Sequence, residues 1–154
     1  EGGGSGGRYD AEEVFSPEPL SPTKKLLKGI KVLAVEDDPA SLMYLDKILQ
    51  DSGAEYRIVD PYEAMQQACK AGMVPDVALL DIAMSSNDGF DCLNWLLEYF
   101  PNHDIKFIAQ TAHVMLDKVE GYEKAGFHDF IGKPYSNAEL TNVVFRNISS
   151  GLKV

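Results

Sequence analysis

Residues 30–39 read IKVLAVEDDP, and this stretch decides the fold. Ile30 to Val35 is short, continuous and rich in β-branched residues, the pattern of a strand covered on both faces. Acids follow at once, then a proline. Asp38 is placed to cap a helix, with Pro39 at the first helical position, where a missing N–H costs nothing. Leu42, Leu45, Ile48 and Leu49 recur at helical spacing until Ser52-Gly53 closes the helix. A buried strand running directly into a capped helix is a βα unit.

Four more such units follow. YRIVD (56–60) reads as a strand and PYEAMQQACKAG (61–72) as a helix. DVALLD (76–81) is the third strand; SSNDG (85–89) turns into the helix FDCLNWLLEYF (90–100), which Pro101 stops. IKFIAQ (105–110) is the fourth strand, followed by a helix from Ala112 to Ala125. FHDFIG (127–132) is the fifth strand, and Asn137 to Ser149 forms the last helix with Ser136 as its cap. Strict alternation with helix-length crossovers predicts a parallel sheet covered on both faces. Right-handed crossovers leave few topologies, and the α/β flavodoxin-like (βα)5 doubly wound sheet, strand order 2-1-3-4-5, is the one expected of a single domain this size. A β/α barrel needs eight units and is excluded.

Composition narrows the function. The 154 residues are 45% hydrophobic and carry a net charge of −10, which disfavours direct nucleic-acid binding or contact with an anionic membrane. No apolar run approaches the roughly 20 residues of a membrane span. Cys69 and Cys92 form neither a disulfide framework nor a metal motif, which is the usage of a cytoplasmic protein. Residues 1–27 contain a Gly/Ser run (Gly2–Gly7) and the pairs Ser16-Pro17 and Ser21-Pro22, and read as a flexible lead-in. The folded domain is expected over residues 28–154.

In a doubly wound sheet, ligands bind outside the carboxyl ends of the strands, where the strand order reverses. Strand one ends in Glu36 and Asp37, strand three in Asp81, strand four in Gln110-Thr111, and strand five in Gly132-Lys133. In the order 2-1-3-4-5, Glu36, Asp37 and Asp81 share one crevice, with Thr111 and Lys133 on the next strands. Three carboxylates repel one another and call for a cation. Hard oxygen donors suit Mg²⁺. Lys133 offers a point charge for an anion, and the Thr111 hydroxyl a donor for a phosphoryl oxygen. A carboxylate nucleophile, a metal and a lysine are the parts needed to transfer a phosphoryl group to aspartate.

VLAVEDD, ALLDIAMSSNDGFD, FIAQTAH and FIGKPY occur in the order and spacing of a known family: residues 30 to about 152 resemble the receiver, or phosphoacceptor, domain of two-component response regulators. The resemblance implies that Asp81 accepts phosphate from a histidine kinase or a histidine phosphotransfer protein. It also implies that Asp37, Asp81 and the backbone carbonyl of Ala83 hold Mg²⁺, with Glu36 acting mainly through bound water. Lys133 would pair with Asp81 and then with the phosphoryl group; Thr111 and Phe130 would be the switch pair; Lys133-Pro134 would be cis. A phosphorylation-dependent dimer is compatible with this reading.

The pattern has departures. Ser85 stands where the family often has proline, Phe130 where it often has tyrosine, and Ala83 leaves one side of the site open to water, which favours autodephosphorylation. SPTKKLLKG (21–29) resembles the lead-in to the receiver of a hybrid histidine kinase. On that resemblance the chain is expected to be the cytoplasmic receiver of such a kinase in preference to a stand-alone receiver, and the complete set of acids and lysine disfavours a pseudo-receiver that binds without phosphotransfer. No output domain is expected after the last helix. A dehalogenase-type phosphatase would need D-x-D-x-[TV], and an FMN carrier a Ser/Thr/Gly-rich first loop; EDDPA and DIAMS provide neither.

Overall fold

The structure, a computed structural model, describes residues 25–60, 62–82, 89–112 and 116–149. Five strands alternate with five helices: β1 (Lys31–Val35), α1 (Pro39–Ser52), β2 (Glu55–Val59), α2 (Tyr62–Lys70), β3 (Val77–Asp81), α3 (Gly89–Tyr99), β4 (Lys106–Thr111), α4 (Leu116–Ala125), β5 (Asp129–Gly132) and α5 (Asn137–Ser149). The strands are parallel and lie in the order β2-β1-β3-β4-β5, as the alternation predicts. Element bounds differ from the expected ones by a few residues. The largest difference is at α4, whose described helix starts at Leu116, with Ala112 in a bend before it.

Each strand divides its side chains between two cores, as the two-residue period of a strand requires. Val32, Ala34, Leu79 and Ile108 pack with Leu45 and Leu49 of α1 and Leu140 and Val144 of α5. Val35, Leu80 and Ala109 pack on the other face with Met65 of α2, Leu93 and Leu96 of α3 and Tyr122 of α4. Leu96 of α3 and Phe100 just after it belong to that core, whereas Tyr99 is exposed and stacks on Trp95 with ring centroids 4.6 Å apart.

The helix ends follow their local chemistry. The Ser41 N–H donates to Asp38 Oδ2 at 2.9 Å at the start of α1, and Pro39 takes the first helical position. Before α5, Glu139 N–H donates to Ser136 Oγ at 3.0 Å while Ser136 N–H donates to Glu139 Oε1 at 2.8 Å, a reciprocal capping box. Gly53 ends α1 at φ 85°, a left-handed conformation natural to glycine, and a Cβ there would lie 2.6 Å from Cβ of Lys25.

That last contact shows that packing begins ahead of Lys28. Leu27 is fully buried in the α1/α5 core, and its N–H donates to Ser52 O at 3.0 Å. Part of the expected flexible lead-in is therefore core, because a leucine beside the end of α1 has apolar surface to bury. Residues 1–24 lie outside the described residues, as do Ala83, Ser85, Asp88 and His113.

Candidate functional site

Strand register brings the expected residues to one level. Val35 pairs with Leu80, Asp81 with Gln110, and Thr111 with Gly132, so Glu36, Asp81, Thr111 and Lys133 all stand at the carboxyl edge of the sheet. The order reverses between β1 and β3, which are neighbours there. Glu36, Asp37 and Asp81 each offer a carboxylate oxygen, all within 4.8 Å of one another. Among the described residues this is the one group of three acids, histidines or cysteines close enough to hold a metal ion.

Lys133 closes the cluster. Its Nζ donates to Asp81 Oδ2 at 2.7 Å and to Glu36 Oε1 at 2.8 Å, joining residues from the ends of three strands. Glu36 is 0% exposed and Asp81 6%. Burial, with the charge of Asp81 adding to it, pushes the Glu36 carboxyl above its usual range, against the pull of Lys133 and the Asp38 N–H. For Lys133, burial works against the charge, yet the bonds to Asp81 and Glu36 outweigh it and hold the ammonium above its ordinary value. Among the described residues Lys133 thus bridges two of the three acids, and the set of carboxylate oxygens suits a further cation of hard character.

The backbone sets the lysine's approach. Lys133 N–H donates to Thr111 O at 2.8 Å, and the Lys133-Pro134 peptide is cis, as the motif implies. Thr111 is buried at the end of β4. Phe130 is half-buried on β5 opposite Ala109 and packs against the α2/α3/α4 core. Ala83, expected to supply a carbonyl to a metal, lies outside the described residues.

Sequence reasoning gave no role to four residues around this site. Gln110, fully buried, accepts a hydrogen bond from Tyr135 OH at 3.0 Å through Oε1, and Tyr44 OH donates to Tyr135 O at 2.8 Å. The one available signal was an amide directly after the apolar run Phe107–Ala109 of β4. Gly89 is the fourth: a Cβ there would lie 2.8 Å from Ile82 Cγ2 and 3.1 Å from Asp81 O, so α3 starts hard against the chain leaving Asp81.

Fold and site define a class, the doubly wound α/β domain with an acid cluster and one bridging lysine at its strand ends. Residues 32–145 match the model of the response regulator receiver domain, and the chain belongs to that family. It is 30% identical over 129 residues to the signal transduction histidine-protein kinase BarA of Escherichia coli (strain K12), covering 83% of this chain and 14% of that protein. It is 29% identical over 119 residues to the sensor protein GacS of Pseudomonas syringae pv. syringae, covering 75% and 13% respectively. The chain thus spans about one-seventh of these curated relatives. Among solved structures, a CheY-like receiver domain protein from Methanospirillum hungatei aligns at TM-score 0.67 and 25% identity over 80% of this chain and 95% of that one. The chemotaxis protein CheY4 of Vibrio cholerae aligns at TM-score 0.70 and 20% identity over 76% and 97%. No helix of the described residues is long and apolar enough to cross a membrane.

Proposed function

We propose that this chain is a phosphoacceptor that switches a protein-interaction surface, with Asp81 as the phosphorylated residue. The observation that carries the reading is Lys133 Nζ, bonded at once to Asp81 and Glu36 within the three-acid cluster. In the reaction, an Asp81 carboxylate oxygen forms a bond to phosphorus as the P–N bond to a donor imidazole breaks. The bonding pair stays on the departing nitrogen, and the ring leaves neutral because its other nitrogen already carries a proton. The partner that fits is a histidine kinase or a histidine phosphotransfer protein, in keeping with the kinases among the relatives.

Mg²⁺ would be held by Asp37, Asp81 and the Ala83 carbonyl, with Glu36 through water, and would neutralise charge building on the phosphoryl oxygens. Lys133 exchanges one Asp81 oxygen for a phosphoryl oxygen, and the Thr111 hydroxyl donates to another. A phosphoryl group adds charge and acceptor oxygens to Asp81. Those new contacts draw Thr111 towards the site and let Phe130 turn inward, biasing the surface around α4 and β5.

The test is mass spectrometry of the chain with Mg²⁺ and acetyl phosphate. One phosphoryl increment is expected, lost on chelation and absent in Asp81→Asn. A chain that gains no mass, or an Asp81→Asn variant that gains it equally, overturns the reading and leaves a binding module.

A further inference from the structure

Gln110 occupies a position that an apolar residue would fill at lower cost. Its carboxamide is fully buried; Oε1 accepts from Tyr135 OH at 3.0 Å, and Nε2 has no partner among the described residues. Turning the amide over exchanges an unpartnered donor for an unpartnered acceptor, so one atom stays orphaned in either orientation. A leucine facing a phenylalanine would pack the same space with no orphan. Polar pairs kept against that alternative are expected at functional sites.

The location of the pair supplies the function. Gln110 stands opposite Asp81 in the register, and its carbonyl accepts from the N–H of Ile82, the residue after Asp81, at 3.1 Å. Its side chain holds Tyr135, two residues beyond Lys133. Tyr135 is pinned again by Tyr44 OH, which donates to its carbonyl at 2.8 Å, and Lys133 N–H is tied to Thr111 O. A lysine ammonium on a four-carbon stem has wide freedom of its own, so its bonds of 2.7 and 2.8 Å depend on a fixed backbone origin.

We propose that Gln110 and Tyr135 are a buried positioning pair, linking the chain beside Asp81 to the segment that carries Lys133 and so setting the lysine's aim at the acceptor oxygen. The inference rests on the phosphoacceptor reading above. Neither residue touches the reacting atoms; both act through Lys133.

The test compares the chain with Gln110→Leu/Tyr135→Phe and with Tyr135→Phe alone, which deletes one oxygen and keeps the ring. Phosphorylation by acetyl phosphate is followed as a function of Mg²⁺ concentration, beside thermal unfolding. The maximal rate of the double variant is expected to fall about tenfold, because a small misplacement of a charged group is costly in rate. Half-saturation by Mg²⁺ is expected to hold, since the acids are intact, and the melting temperature to equal or exceed that of the unmodified chain. Tyr135→Phe should show the same split between maximal rate and Mg²⁺ half-saturation. A double variant with the unmodified maximal rate overturns the proposal, as does a rate loss matched by weaker Mg²⁺ binding and a lower melting temperature, which marks general damage. An unmodified chain that takes no phosphoryl group overturns the phosphoacceptor reading and the pair's role with it.

Discussion

At the residue scale, the balance of charge around Lys133 governs what the site can do. Glu36 and Asp81 share the Lys133 ammonium, and Asp37 offers a carboxylate oxygen within 4.8 Å of theirs, so a divalent cation finds hard oxygens to bind. A ligand that binds only the folded chain stabilises it by mass action, by about 2.7 kcal/mol at a concentration of about 100 times Kd. Mg²⁺ is therefore expected to raise the urea midpoint of this chain, and Asp37→Asn to remove most of that rise; equal shifts in the two proteins contradict the assignment of Asp37 as a ligand. Lys133→Ala is expected to leave slow phosphorylation by acetyl phosphate but to uncouple it from the switch. Its amide NMR signals at Thr111 and Phe130 should stay put on phosphorylation, whereas those of the unmodified chain move.

At the element scale, the helices that frame the site are held by short-range chemistry that can be tested singly. The box of Ser136 and Glu139 starts α5 just beyond the lysine segment, and losing a hydroxyl cap typically costs about 1 kcal/mol. Ser136→Ala should lower stability by about that amount in urea titrations and leave phosphorylation intact. Gly89 is different, because its missing side chain lets α3 approach the Asp81 carbonyl and Ile82. Overpacking of this kind costs about 1–3 kcal/mol. Gly89→Ala should therefore lose stability and slow phosphorylation together, since the displaced backbone carries the acceptor. Stability lost with an unchanged rate would show that the strain is absorbed within α3.

For the whole molecule, stability depends on joints between distant segments. Leu27→Ala empties a fully buried site shared with α1 and α5, and a cost of about 2–5 kcal/mol in the unfolding midpoint is expected. A second joint is pH-sensitive. Phe107 N–H donates to His128 Nδ1 at 3.0 Å, while His128 N–H donates to Phe107 O at 2.8 Å, fastening the start of β4 to the approach to β5. An imidazole that accepts must be neutral. Burial lowers its affinity for a proton below the ordinary 6.5, Lys106 adds to that and Asp104 opposes it. The unfolded chain then binds the proton more readily, so this contribution is full above 6.5 and is lost as pH falls below it. The urea midpoint should drop between about pH 7.5 and about pH 5.5, and His128→Gln should flatten part of that drop.

Much of this was legible in the chain itself. Element type, strand order and the acids at the strand ends follow from periodicity, caps and connection lengths, which are interactions among near neighbours. Asp38, Pro39 and Ser136 are read correctly for that reason, and so is the convergence of Glu36, Asp37, Asp81 and Lys133, because a parallel sheet aligns its strand ends whatever its side chains. Folding alone decided the bonds that cross the chain: Tyr135 to Gln110, Tyr44 to Tyr135, Leu27 into the α1/α5 core and Gly89 against Asp81. Each joins residues whose identities carry no local signal for one another, and each depends on close packing, where a few tenths of an ångström determine whether a hydrogen bond or a collision results.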